Sequence, residues 1–422
     1  MMNRRSFVKT VSGGLAGASL AGLAPLGTAR AVPPSDQIRV GVIGVGSRGK
    51  WVMRHMLRVP GVRIGALCDV YEPRFAEGRE ITGEATPVYT DYRAMLDAEA
   101  RNLDAVLVAS PLYVHDEHVI ASLDSGLHVY GEKSMAYSLE GCNAILRAVE
   151  RSGRRFQIGH QYRYAPWTQE AIRRIRAGEI GEVTHVFGYW HRNNNWRRPV
   201  PDPNDPALER LINWRMYLDY SRGLLAELGS HHIDIANWAF NELPVAALGT
   251  GSLLYYDDGR EVYDNVQVTF EYPSGRRMLF SSLLGNHHAG YQIWIYGTGG
   301  SIQITLQDAT LYQEPWRENS AVPADLPREG VTTTATLGAQ GDMPYRGPGY
   351  RLEVEDRSAD EVAIEAFFTA LRNDERPVAD ERVGWGSAIP VAFGHQAIRA
   401  HTRIDFGEHV RAANLEAIYG DA

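Results

Sequence analysis

Residues 39–50 read Arg39-Val40-Gly41-Val42-Ile43-Gly44-Val45-Gly46-Ser47-Arg48-Gly49-Lys50. A β-branched run meets Gly44, Gly46 and Gly49 in the spacing G-x-G-x-x-G, and a helical segment is expected next, over Lys50–Val59. Each glycine has its own physical task. Gly44 permits a tight turn, Gly46 permits close backbone approach to a pyrophosphate, and Gly49 permits close helix–strand packing. The helix start, with Ser47 and Arg48, adds N–H donors and partial positive charge that suit phosphate. A second strand, Val62–Cys68, ends in Asp69, about twenty residues past Gly49, where a carboxylate can accept hydrogen bonds from a ribose 2′-hydroxyl. This pattern predicts a dinucleotide site.

Outward from that turn, short β-branched runs alternate with helical segments. Strands are predicted at Arg39–Ile43, Val62–Cys68, Ala105–Ala109, Leu127–Tyr130 and Phe156–Gly159, with helices including Tyr92–Ala98, His115–Ser125 and Ser138–Arg151. Alternation of this kind gives a doubly wound parallel sheet with right-handed crossovers, and ligands then sit at the carboxyl ends of the strands. Those ends carry Asp69, Ser110-Pro111, Glu132-Lys133 and His160-Gln161.

After Pro166 the character changes. A helix over Trp167–Ala177 leads into a strand, Thr184–His191, then a loop rich in Arg, Asn, Trp and Pro from Arg192 to Trp214, and a helical segment at Ala226–Phe240. Alternating, turn-punctuated strands follow at Leu248–Tyr256, Asn265–Tyr272, Arg277–Leu284, Tyr291–Tyr296 and Ser301–Leu306, the pattern of an antiparallel sheet. Residues 313–350 read as a long loop, and Glu361–Asn373 and Gly386–Thr402 as helices. The expected fold is therefore α/β: a parallel-sheet domain at 36–160, an α+β domain with a large open, mainly antiparallel sheet at 161–405, and a tail at 406–422.

With 422 residues, two domains are the default. A net charge of −8 argues against nucleic acid as a partner. Two cysteines, Cys68 and Cys142, give no disulfide framework and no zinc site. Residues 1–31 read as an export signal: Asn3-Arg4-Arg5-Ser6-Phe7-Val8-Lys9 matches the twin-arginine pattern, a Gly/Ala-rich segment follows, and Ala29-Arg30-Ala31 fits a cleavage site. Several glycines and Pro25 make that segment a poor membrane anchor, so a periplasmic protein without stable membrane insertion is expected.

Two constellations carry chemistry. Lys133 falls at the carboxyl end of the fourth strand, where a lysine of lowered pKa can hold a substrate hydroxyl and relay its proton. In Glu227-Leu228-Gly229-Ser230-His231-His232-Ile233-Asp234, a regular helix would place Glu227 one turn from His231, an acid–base pair. Adjacent histidines point to different faces of a helix, so no metal is expected. A third feature, the aromatic and basic loop with Trp190, Arg192, Trp196, Arg197, Arg198, Trp214, Arg215 and Tyr220, suits a sugar ring and subunit contacts equally.

Taken together these motifs resemble the Gfo/Idh/MocA family of NAD(P)-dependent oxidoreductases, from about Ile38 to about Arg399. The marks are the Gly-rich turn, Ala109-Ser110-Pro111 with His115, His128-Val129-Tyr130-Gly131-Glu132-Lys133, Gly159-His160-Gln161-Tyr162-Arg163, Gly178-Glu179-Ile180-Gly181-Glu182 and Tyr296-Gly297-Thr298-Gly299-Gly300-Ser301. The resemblance implies a Rossmann domain followed by a substrate domain whose sheet pairs subunits into a homodimer or homotetramer. Cofactor contacts would come from Gly44, Gly46, Ser47, Arg48, Gly49, Asp69, Ser110, Pro111, His115, Glu132, Lys133 and Gln161. Lys133, His231 and Glu227 would be catalytic, and Lys133, Arg163, Trp196, Arg197, Tyr220, His231 and His232 would meet the substrate. Ser134 stands where the family has proline, and Glu227 where it has aspartate. Asp69 favours NAD over NADP, with Arg74 nearby as a partial answer to a 2′-phosphate.

An exported enzyme meets no pool of free NAD, so the expected activity keeps its nucleotide tightly bound. Hydride would pass between a sugar or glycoside hydroxyl and that cofactor in a redox-closed cycle, as in glucose–fructose oxidoreductase-like members. The alternative is an NAD-dependent glycosidase working by oxidation, elimination, hydration and reduction. A non-catalytic sugar- or NAD-binding protein is the third reading, opposed by Lys133 and His231.

Overall fold

The computed structural model describes residues 37–314 and 349–415. The twin-arginine motif, most of the 313–350 loop and the last seven residues lie outside them. Six strands form the first sheet: β1 (Ile38–Ile43), β2 (Val62–Cys68), β3 (Val88–Tyr89), β4 (Ala105–Val108), β5 (His128–Gly131) and β6 (Phe156–Ile158). Their order is β3-β2-β1-β4-β5-β6, every pair parallel, as in a doubly wound dinucleotide-binding sheet. The reversal between β1 and β4 puts the crevice at the carboxyl ends, beside Gly44 and Ser110. Both faces are covered, so β4 is buried at every position, reading Ala-Val-Leu-Val.

The helices over these faces are α1 (Ser47–Met56), α2 (Arg74–Thr82), α3 (Tyr92–Glu99), α4 (His115–Asp124) and α5 (Leu139–Ser152). Helix α1 starts three residues earlier than its apolar pattern indicates, because the Gly-rich turn itself supplies its first turn. Ser138 caps α5, accepting from Gly141 N–H, and Gly153 closes it in the left-handed conformation.

The second sheet has nine strands: β7 (Val183–His191), β8 (Ala246–Ser252), β9 (Asn265–Glu271), β10 (Arg277–Leu283), β11 (Tyr291–Gly297), β12 (Gly300–Ile304), β13 (Ala309–Gln313), β14 (Tyr350–Arg351) and β15 (Arg403–Asp405). It is antiparallel except where β7 lies parallel to β10. Alternating burial along β9 and β10 shows one face turned to the core. Covering that face are α8 (Ser230–Phe240) and α10 (Glu381–Ala400); α6 (Pro166–Arg176) packs on β12, β13 and α8, and α7 (Pro206–Ile212) lies in the connection between β7 and α8. Short β3, β13, β14 and β15 and the helices α2 and α7 are absent from the sequence reading. They are too short or too polar to show a period.

Two elements revise the expected domain limits. Helix α9 (Ala359–Asn373) returns to the first sheet, where Ile364, Phe367 and Phe368 complete the core built by Val40, Val42 and Tyr130. Burying each phenylalanine is worth about 1.5–3 kcal/mol, so residues 36–160 do not close their own core. Within the expected tail, α11 (Gly407–Ala413) packs Val410 inward.

Candidate active site

A cavity of about 760 Å³ opens at the carboxyl ends of β1, β2, β4 and β5 and runs to α8. At its start Gly44 adopts φ +99°, and a Cβ there would lie 2.6 Å from the main chain of Ala109. A Cβ on Gly49 would lie 2.0 Å from the Gly44 carbonyl, so this glycine is required for helix–strand approach and does not itself line the cavity. Asp69 sits at the end of β2; its two carboxylate oxygens accept from Val45 N–H at 2.8 Å and Tyr71 N–H at 2.9 Å. Arg74 Nε lies 3.9 Å from the same carboxylate.

The residues here fit an NAD molecule. Gly44, Gly46, Ser47, Asp69, Ser110 and Pro111 all line the cavity, and the Arg74 guanidinium approaches to 2.5 Å of where a Cβ on Gly46 would sit. Further in, Arg48 Nη2 and Gln161 Oε1 are buried without a hydrogen-bond partner, polar atoms that a bound cofactor or its waters would satisfy. The rest of Arg48 is held: Nε donates to Glu132 at 2.7 Å and Nη1 to Asp360 at 2.8 Å. These two carboxylates outweigh burial and raise its pKa. His115 lies with one ring nitrogen 2.8 Å from Ser134 O and the other 2.7 Å from Ser110 O. A neutral ring donates to only one of these at a time, and burial keeps the ring pKa low. Bound NAD would supply the hydride acceptor; the proton chemistry belongs to the chain.

Lys133, Glu227 and His231 all line the inner end. Lys133 Nζ donates to the main-chain carbonyl of Glu227 at 2.8 Å. Burial lowers the lysine pKa, against the pull of Glu227 and Glu132. His231 is buried, and burial together with His160 and Lys133 drives its pKa well below 6.5. Its imidazole is therefore neutral at pH 7 and can accept a proton. Behind it, His160 Nδ1 lies 3.4 Å from His231 Nδ1, and His160 Nε2 lies 2.7 Å from the Ser387 hydroxyl. The sequence placed His160 at a strand end without a role; its contact with His231 spans two distant segments and leaves no local signal.

The Glu227–His231 pair expected from helical spacing does not form. Residues Leu225–Gly229 are wound as a π turn, which has more residues per turn than an α-helix, so positions four apart no longer align. The Glu227 carboxylate instead accepts from Arg215 Nε at 2.8 Å. Burial alone would raise its pKa, but Arg215 and Lys133 hold it lower. Gly229, which the sequence marks as a point of close approach, faces Phe280: a Cβ there would sit 2.9 Å from that ring.

Of the expected substrate contacts, Lys133, Trp196 and His231 line the cavity. Three others are placed elsewhere and are corrected. Arg163 is buried and paired with Asp234 at 2.5 Å, its guanidinium 4.3 Å over Trp238, because an isolated cation there would be unsolvated. Arg197 is bound to Glu209 and Asp258. His232 is buried among Trp190, Phe280 and Tyr291, with Nε2 3.1 Å from Tyr189 O. Tyr220 stands one layer back, edge-on to the cavity residue Tyr113 at 4.8 Å. Trp190, Arg192, Arg198, Trp214 and Arg215 of the same aromatic and basic loop do reach the cavity. Cys68 and Cys142 are buried thiols, and burial raises the Cys68 pKa to about 12. Among the described residues no group of three His, Cys, Asp or Glu side chains is placed to hold a metal ion, and no helix is long and apolar enough to cross a membrane.

Comparison with known proteins agrees with this architecture. Residues 38–160 match the model of an oxidoreductase family with an NAD-binding Rossmann fold, and residues 168–303 match the GFO/IDH/MocA C-terminal domain. The chain is 28% identical over 276 residues to 2,7-anhydro-N-acetylneuraminate hydratase of Escherichia coli K12, covering 64% of this chain and 68% of that protein. It is 28% identical over 241 residues to a glycosyl hydrolase family 109 protein of Shewanella pealeana, covering 51% and 50%. The aldose-aldose oxidoreductase of Caulobacter crescentus superposes with a TM-score of 0.67 at 19% identity, covering 87% of this chain and 99% of that one. That last likeness speaks to the fold.

Proposed function

The chain belongs to the GFO/IDH/MocA family of NAD-dependent oxidoreductases, and from that premise we propose that it passes hydride between a sugar or glycoside hydroxyl and a nicotinamide cofactor it does not release. One observation carries the reading. Lys133 and a neutral, buried His231 stand together at the inner end of the cavity whose outer end is the Gly-rich turn. In the oxidative direction the Lys133 ammonium donates a hydrogen bond to the reacting oxygen and favours its negative charge, and His231 takes the hydroxyl proton. The reverse reduction returns that proton.

Retention of the cofactor is supported by the twin-arginine text at Asn3–Lys9, which marks a periplasmic protein, and by Arg198, whose guanidinium donates to Ser47 Oγ at 2.8 Å across the mouth of the turn. A closed cycle, in which one hydroxyl is oxidised and another carbonyl reduced, then needs no external nucleotide. Subunit pairing through the second sheet is part of the same proposal. A second reading, redox-neutral glycosidase chemistry on the same residues, is favoured by the likeness to the family 109 protein.

The test is to denature protein purified without added nucleotide and identify what is released. Protein that retains none and turns over only with added NAD defeats the closed cycle. Holoenzyme is then incubated with a panel of glycosides: a keto-glycoside supports the oxidoreductase, liberated aglycone supports the glycosidase, and neither product defeats both.

A further inference from the structure

The cations of the inner cavity are not all answered. Arg48 is paired with Glu132 and Asp360, Arg215 with Glu227, and Lys133 is held by the Glu227 carbonyl. Arg192 is different: among the described residues it forms no ion pair and its side chain makes no hydrogen bond. Its backbone is fixed at the end of β7, where its N–H donates to Leu283 O at 2.8 Å. Its guanidinium lies 4.9 Å over the ring of Trp190, and that ring is 6.0 Å from the ring of His231. The side chain is half-buried and lines the cavity, and burial pulls its pKa down. A cation-π contact offsets part of that desolvation, but all of the side-chain donors stay open. A partly desolvated guanidinium stacked on the ring that separates it from His231, and lining the same cavity, is an anion receptor.

We propose that Arg192 receives an anionic substituent of the sugar, a carboxylate or a sulfate ester, so that the substrate class is acidic sugars and their glycosides. The inference rests on the reading of this cleft as a sugar site. It makes Arg192 the residue that separates acidic from neutral sugars of the same stereochemistry.

The experiment is equilibrium binding to the purified holoprotein, by calorimetry, of matched methyl glycosides: glucuronide and galacturonide, the corresponding hexosides, and their 6-sulfates. At least one acidic sugar is expected to bind about tenfold or more tighter than its neutral counterpart, with the advantage shrinking as salt is raised. Which anion gives the advantage separates the carboxylate from the sulfate source. In R192Q the ratio of neutral to acidic Kd is expected to fall to near one, while R192K keeps part of it. Should R192Q fail to fold, as judged by nucleotide content and melting, the R192K ratio and the salt dependence of the wild-type protein decide. Equal binding of acidic and neutral sugars, no binding of any acidic sugar, or an unchanged ratio in folded R192Q overturns the proposal. Binding with the expected ratio but no hydride transfer would overturn the enzymatic reading instead. Turnover of neutral sugars without preference leaves that reading standing and removes this one.

Discussion

Lys133 Nζ is bound to the main-chain carbonyl of Glu227, 2.8 Å away, while the Glu227 side chain turns to Arg215. The lysine is thus aimed by the backbone of the π turn, and its position does not depend on the carboxylate. Replacing Lys133 by alanine is expected to lower the rate of NADH formation in a single turnover by about 10²–10⁴, the usual range for a positioned proton-transfer group. E227Q keeps the carbonyl and loses the ion pair, so its loss is expected to be distinctly smaller. Equal losses in the two variants would place the catalytic weight on the carboxylate.

His231 is kept neutral by burial, by His160 and by Lys133. Activity in the oxidative direction is therefore expected to hold steady from pH 8 down through 6.5 and to fall only at more acid pH, where the ring begins to protonate. Replacing His160 by asparagine removes one of the causes, so the acid limb is expected to move to higher pH. A profile whose limb stays in place in H160N would show that His160 does not act on His231.

The same histidines make stability depend on pH. Burial holds His160 and His232 down to about 4, below the ordinary 6.5 of the unfolded chain. Protons then bind the unfolded state more readily, so the stability present above about pH 6.5 is lost progressively as pH falls through about 4. Melting temperatures measured between pH 7.5 and 4 should decline across that window. A flat profile would contradict the buried, neutral state of these rings.

The parallel sheet and its site were legible because their signals are local. Glycine spacing, the β-branched runs and the residue after each strand all lie within a few positions of one another, and Gly44, Asp69 and Lys133 were found that way. What was missed is long-range or irregular. Helix α9 joins the first core from some 200 residues away, and nothing in Phe367 or Phe368 names its partner sheet. The π turn breaks the four-residue spacing on which the Glu227–His231 pairing relied. Arg163 and Arg197 were read as substrate contacts because a sequence displays a cation but not the carboxylate that neutralises it.

Asp69 places a carboxylate where a ribose would lie, yet Arg74 stands 3.9 Å away. D69N removes the charge that opposes a 2′-phosphate and leaves Arg74 to attract it. The ratio of NADP to NAD affinity, measured on apoprotein prepared by mild unfolding and refolding, is expected to rise by about tenfold or more. Because the Asp69 oxygens also accept from Val45 and Tyr71, some loss of stability should accompany the switch. An unchanged ratio would place the ribose elsewhere in the cleft.

Arg198 is carried on the segment between β7 and α7, and its bond to Ser47 ties that segment to the first turn of α1. The segment itself is braced, since Arg198 N–H donates to Asn213 Oδ1 at 2.7 Å and Asn213 Nδ2 returns a bond to Arg198 O at 3.1 Å. On the proposed reading, the bond from Arg198 to Ser47 stands as a strap over the Gly-rich turn and slows release of the nucleotide held there. A hydrogen bond to a charged group is worth about 1.5–3 kcal/mol at most, and solvent exposure of Arg198 reduces it. R198A is expected to speed nucleotide release by about tenfold with little change in the single-turnover rate. S47A removes the acceptor but keeps the cation. If the strap acts through this bond, S47A should speed release too, and the double variant should add little to R198A. Release as slow as in the parent chain would assign cofactor retention to the cavity walls alone.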